Sequence, residues 1–160
     1  MRHQVQLSEP IILPQGFARA AVLLIAGQSG DAMLLRQQLV SGGYTVLDGA
    51  TTAHVHHALF EGAADVAIIA GLPSDQAWGT CALIKRDETA FVPVILIGAL
   101  PPGIHETEEA VCCGPDVALD DWPHPAELQR TLHTLLRIKH QTDSRRQQVD
   151  PDAQHFERIK

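Results

Sequence analysis

Cysteine is scarce in this chain. Cys81, Cys112 and Cys113 make an odd count, with two of the three adjacent. That excludes a disulfide framework and fits reduced thiols in the cytoplasm. Long apolar runs are missing too, and none reaches the roughly 18 residues that a membrane span needs. The opening stretch from Met1 to Phe17 has one early Arg and no sustained apolar core, so it does not read as a secretory signal. Positive charge is lacking over most of the length. Residues 1–128 carry five Lys and Arg against fifteen Asp and Glu, a balance of −10. Residues 129–160 carry seven against four, a balance of +3. The acidic body excludes nucleic-acid binding by charge alone. The mildly basic tail reads as a solvated helix of mixed charge.

What remains is a soluble globular composition: 160 residues, 45 % apolar, 19 % charged, net charge −7. That suits one domain with a real core. Short apolar runs alternate with longer stretches of helical period. Residues 21–26 (AVLLIA) form a continuous apolar run, as a strand buried on both faces requires. Ser29 is placed to cap a helix over residues 31–41, with Leu35 and Leu39 on one face and Gly42-Gly43 as its stop. Residues 44–47 make a short second strand. Thr51 or Thr52 caps a second helix that buries Val55 and Leu59. Residues 66–70 (VAIIA) are the third strand. Ser74 caps a third helix to about Arg86, with Ala77, Cys81 and Ile84 inward. Residues 94–97 are the fourth strand, and a weaker helix over 104–113 follows. Residues 117–119 are the fifth strand, and Pro125 suits the first turn of a last helix. Its apolar stripe is Leu128, Leu132, Leu135 and Leu136.

Five strand–helix units imply an α/β fold: a doubly wound parallel sheet, flavodoxin-like order 2-1-3-4-5, with helices on both faces. Residues 20–139 make the domain. Residues 1–19 are an N-terminal extension. Residues 140–160 are a helical linker toward a further domain outside the 160 residues, broken or restarted at Pro151. Ligand sites in such sheets lie at the carboxyl ends of the strands.

Several segments carry more specific patterning. Residues 64–99 contain Leu72-Pro73 after the third strand and Val92-Pro93-Val94-Ile95 into the fourth. Ala110-Val111-Cys112-Cys113-Gly114-Pro115-Asp116 precedes the fifth, and His124-Pro125-Ala126-Glu127-Leu128 opens the last helix. In this order and spacing, residues 20–139 resemble the receiver domain of bacterial two-component response regulators. The resemblance implies a phosphorylation site, and its positions can be taken one at a time. Two acids after the first strand hold Mg²⁺ in the family; here they are Ala26 and Gly27. The phosphoacceptor Asp corresponds to Ala70, the Thr or Ser after the fourth strand to Gly98, and the Lys after the fifth to Asp121. The aromatic switch residue corresponds to Ala118.

None of the six is retained. Ala70 has no nucleophilic atom. Ala26 and Gly27 offer a hard cation only backbone carbonyls. Asp121 reverses the sign of the charge that would neutralise phosphoryl oxygens. The expectation is a degenerate receiver: a phosphorylation-independent regulatory domain, not an enzyme, with no metal and no cofactor. Its partners are an attached or separate output domain and a second copy. The dimer runs through the weak helix over 104–113, the fifth strand and the last helix, with Trp122, Leu132, Leu135, Leu136 and Ile138 as interface residues. It has no direct contact with nucleic acid or membrane. The alternative is a small-ligand sensor in the vacated site, built on Gly27, Gln28, Ser29 and Gly30 with Gly71 and Gly98.

Other signals are weaker than their plain readings. His54, His56 and His57 with Glu61 have metal-like spacing, yet read as a solvated helix face. Cys112-Cys113 reads as one inward thiol, because a vicinal disulfide is strained. Gly27 to Gly30 is neither a P-loop nor G-x-G-x-x-G. Trp78 and Trp122 each suit a core edge, with Trp122 partly exposed.

Overall fold

A computed structural model describes residues 10–17, 19–27, 30–86, 91–98 and 114–159. Five strands form one parallel sheet: β1 (Ala21–Ala26), β2 (Thr45–Asp48), β3 (Val66–Ala70), β4 (Val94–Ile97) and β5 (Val117–Leu119). Their order is β2-β1-β3-β4-β5, as the alternation implies. Four helices are described: α1 (Gly30–Ser41), α2 (Thr52–Phe60), α3 (Ser74–Lys85) and α4 (Pro125–Ile159). The weaker helix expected over 104–113, with Cys112 and Cys113, lies outside the described residues.

The period-2 pleat sorts the strands' apolar residues into two layers. Val22, Leu24, Val66, Ile68, Ile95 and Ile97 pack with Leu35 and Leu39 of α1 and with Leu128, Leu132, Leu135 and Leu136 of α4. Leu23, Ile25, Ala67, Ile69, Val94 and Leu96 face the other way, onto Val55 and Leu59 of α2 and Ala77, Cys81 and Ile84 of α3. Helices therefore cover both faces. Every residue of β3 is buried, which is why its run is apolar without alternation.

Two aspartates pin the amino ends of the strands. Asp65 Oδ2 accepts from the Ala21 N–H at 2.7 Å, tying the start of β3 to that of β1. Asp116 does the same for β5 and β4 at the sheet's edge, accepting from Val94 N–H at 2.7 Å and Lys85 Nζ at 2.8 Å. Lys85 also lies over the Phe91 ring.

Three local expectations are corrected. β2 begins at Thr45, because Tyr44 N–H closes onto Leu39 O at the end of α1 instead of joining the ladder. The N-cap of α3 is Pro73, and no side chain caps that helix; Ser74 is its first residue. Thr51 does cap α2, accepting from His54 N–H at 3.2 Å. The helix α4 also runs through Pro151 without a break. Proline has no N–H for the bond to residue 147, so the helix crosses that turn with one hydrogen bond fewer.

The segment before β1 is part of the fold. Ile11 is fully buried among Leu35, Leu39, Leu128 and Leu132, and Leu13 and Phe17 pack beside it. Residues 14–17 turn back toward β1, with Phe17 N–H on Pro14 O and Gly16 at φ +92°.

Candidate functional site

The carboxyl ends of the central strands meet in register, Ala26 beside Ala70 and Ala70 beside Ile97. A glycine follows each strand. Gly71 and Gly98 have φ of +69° and +75°, the left-handed conformation that a side chain resists. A Cβ on Gly27 would lie 3.2 Å from Gly71 O, so the first two of these loops touch. Gly98 N–H donates to Leu119 O at 2.8 Å and closes the corner toward β5. The floor of the crevice is therefore methyl groups and backbone. Ala70 itself is only 1 % exposed and belongs to the core beneath.

The structure thus brings Ala26, Gly27, Ala70 and Gly98 together, and none supplies a carboxylate or hydroxyl. Ala118 is exposed on the edge strand β5. Asp121 is exposed, and its Oδ1 accepts from the next residue's N–H, Trp122, at 2.8 Å. It shapes its own loop. Asp48 lies 3.7 Å from Arg36, with both side chains near half exposed. Among the described residues no three His, Cys, Asp or Glu side chains converge as metal ligands. Gln28 and Ser29 of the proposed ligand loop lie outside the described residues.

Two clefts flank this crevice. One of about 460 Å³ lies between α2 and α3, against the end of β1, and presents Thr51, Gln76 and Thr80 beside Leu72, Val55 and Leu83. The other, of about 500 Å³, opens over the ends of β1 and β2 and the start of α1. It is lined by Gly27, Gly30, Met33, Arg36 and Asp48. Ala26 and Ala50 belong to both. Sequence reasoning missed the 49–51 loop as a wall. The one available signal was Gly49, where a Cβ would sit 2.5 Å from Ile25 Cγ1; only glycine lets that loop close over β1.

The interface residues read from sequence need correcting. Leu132, Leu135 and Leu136 are buried in the chain's own core, at 0, 5 and 1 % exposure. Within the chain, α1 and the 11–17 segment, with its buried Ile11, cover what the sheet does not. Trp122 is half-buried against the same core, and Ile138 is 42 % exposed. His54, His56 and His57 are exposed, and His57 Nε2 lies 3.3 Å from Glu61 Oε2. Trp78 packs at the edge of the opposite layer.

Among the described residues, one buried side-chain polar atom has no hydrogen-bond partner: the Tyr44 hydroxyl. Desolvation by burial pushes its pKa up to about 12. No protein-family model matches the chain, and no curated protein matches it. No helix among the described residues is long and apolar enough to cross a membrane.

Proposed function

We propose that this chain is a degenerate receiver: a phosphorylation-independent regulatory and protein-interaction domain of a bacterial signalling protein, cytoplasmic and without catalytic activity. The observation that carries it is the composition of the crevice. In a parallel sheet of order 2-1-3-4-5, the joined ends of β1, β3 and β4 present Ala26, Gly27, Ala70 and Gly98. A phosphoryl-accepting site needs a carboxylate nucleophile and oxygen ligands for a divalent cation there. The domain acts through its surface, on an attached or separate output module reached by α4, which extends to Ile159. A homodimer remains part of this reading, with Ile138 and the part of α4 past His140 as the contact. Neither nucleic acid nor membrane is a partner of the domain itself.

Incubation with acetyl phosphate and Mg²⁺, followed by intact-mass measurement, tests this. No mass is expected to be added. A base-labile adduct of about 80 Da mapped near residue 70 refutes the reading. Beryllofluoride with Mg²⁺ should likewise leave the melting temperature unchanged, because a ligand that favours the folded state must raise it.

The two clefts favour a second reading, a sensor for a small ligand. Thr51, Gln76 and Thr80 offer hydrogen bonds without charge, beside apolar walls, in a volume within the range of small-molecule sites. Ligand carried through native purification and identified by mass spectrometry would favour it over the first.

A further inference from the structure

The segment over residues 11–17 runs between α1 and α4 and is read by both helices. Ile11 N–H donates to Gln38 O at 3.0 Å, and Leu13 N–H donates to Gly42 O at 2.9 Å, both on the α1 side. Ile12 turns to the other wall: its N–H donates to Gln129 Oε1 at 3.1 Å, and its carbonyl pairs with His133 Nε2 at 2.8 Å. Side chains alternate with these bonds. Ile11 is fully buried, Ile12 is 52 % exposed, and Leu13 is half-buried. Further along, the Phe17 ring meets the edge of His140 with centroids 6.0 Å apart. An extended backbone is thus recognised as a strand would be, by two helices instead of a sheet.

Gly42 shows that the groove is shaped for this segment. A Cβ there would lie 1.7 Å from Ile11 O and 2.4 Å from Ile11 C. Its backbone is not in the left-handed region; Gly43, at φ +102°, takes that conformation at the end of α1. Conformation therefore does not require glycine at 42. Close approach of the segment's backbone does.

The segment joins no strand of the sheet. It is held by Ile11, by Leu13 and Phe17 packed beside it, and by four hydrogen bonds to α1, the end of α1 and α4, none of them to a strand. We propose that the α1–α4 groove is a peptide-binding site. It is selective for an extended segment with an aliphatic anchor, and the chain's own residues 11–17 occupy it as a releasable latch. The inference does not depend on whether the domain is a degenerate receiver.

Three variants of the full chain test it, with a labelled peptide of residues 10–17 supplied in trans. Ile11→Asp disables the resident latch and leaves the groove intact. It should bind the peptide at least tenfold more tightly than the wild type, whose groove is already filled. Adding Gly42→Ala to Ile11→Asp should cut that binding at least tenfold. Equal binding by wild type and Ile11→Asp, or binding that survives Gly42→Ala, overturns the proposal.

Hydrogen exchange supplies a readout that does not need Ile11→Asp to fold. In the wild type the Ile11 and Leu13 amides should exchange at least tenfold faster than those of β3, through opening of the segment alone. In Gly42→Ala they should exchange faster still, with β3 unchanged. Exchange of Ile11 and Leu13 only at the rate of β3 overturns the latch. A wild-type dimer that dissociates in Gly42→Ala also overturns it, because the occupant is then a second copy's segment.

Discussion

Placing a carboxylate at position 70 should cost stability and confer no phosphoryl-transfer chemistry. Ala70 is 1 % exposed, ends a strand that is buried throughout, and lies in register between Ala26 and Ile97. Ala70→Asp would place a charged group over this floor of methyls and backbone. Burying a polar group without partners costs about 1–3 kcal/mol, and a charge costs more until it takes up a proton. We expect a loss of about 2–4 kcal/mol at neutral pH. For a chain of this size that is a fall in Tm of about 5–15 °C. The pH dependence has a definite sign. Burial raises the folded-state pKa of the new carboxyl above its unfolded value of about 3.9. The folded state then holds the proton longer, so the deficit grows as pH rises above that value and levels off past the folded pKa. Thermal melts of Ala70→Asp and wild type at pH 4.5 and pH 7.5 should show the smaller gap in acid. Acetyl phosphate with Mg²⁺ should still add no mass, because Ala26 and Gly27 supply no carboxylate for the metal. A variant as stable as wild type at pH 7.5, or one that becomes phosphorylated, refutes the placement of this residue and the chemistry drawn from it.

Other expectations follow from single contacts. Asp116→Ala strips the partner from the Val94 N–H and from Lys85, and urea denaturation should show a loss of about 1–3 kcal/mol. Lys85→Ala removes the ion pair but leaves the Val94 N–H bond to Asp116 in place, and should cost less than Asp116→Ala. Tyr44 is the chain's single tyrosine, so phenolate absorbance reports it alone. The folded chain should titrate near 12 and the urea-unfolded chain near 10.0. Because the unfolded chain loses that proton first, stability should fall as pH rises through this window. Tyr44→Phe should melt no lower than wild type at neutral pH, since the hydroxyl it removes has no partner. Leu136→Glu should unfold the protein, whereas Ile138→Glu should leave its melt within about 0.5 kcal/mol of wild type. Any dimer seen by light scattering should respond to the second variant.

The strands were legible because runs such as VAIIA at 66–70 are too short and too uniformly apolar to be anything else between turn residues. β1, β3, β4 and β5 have the bounds read from those runs. β2 slipped by one residue because Tyr44 is apolar enough to join a strand, while its N–H is claimed by α1. The lack of carboxylates at Ala26, Gly27, Ala70 and Gly98 was legible residue by residue, since an alanine or glycine at a strand end is visible without coordinates. The 11–17 segment was not. Ile11, Ile12 and Leu13 have neither helical nor alternating period, and their partners Gln38, Gln129 and His133 lie far along the chain. The misreading of Leu132, Leu135 and Leu136 as interface residues had the same origin. A stripe on a helix shows how much apolar surface needs cover, not which distant segment supplies it. Gly42-Gly43 was read as the helix stop; Gly43 fills that role, while Gly42 makes room for the Ile11 backbone.

The placement of the 11–17 segment against α4 has a practical geometry. Both pack in one layer, that of α1 and α4. The cleft between α2 and α3 belongs to the opposite layer. Anything carried on α4 is thus joined to the face of the sheet opposite that cleft. The protein can therefore be immobilised by α4 with the cleft turned outward. A partner bound there and a module carried on α4 would then have the whole thickness of the sheet between them.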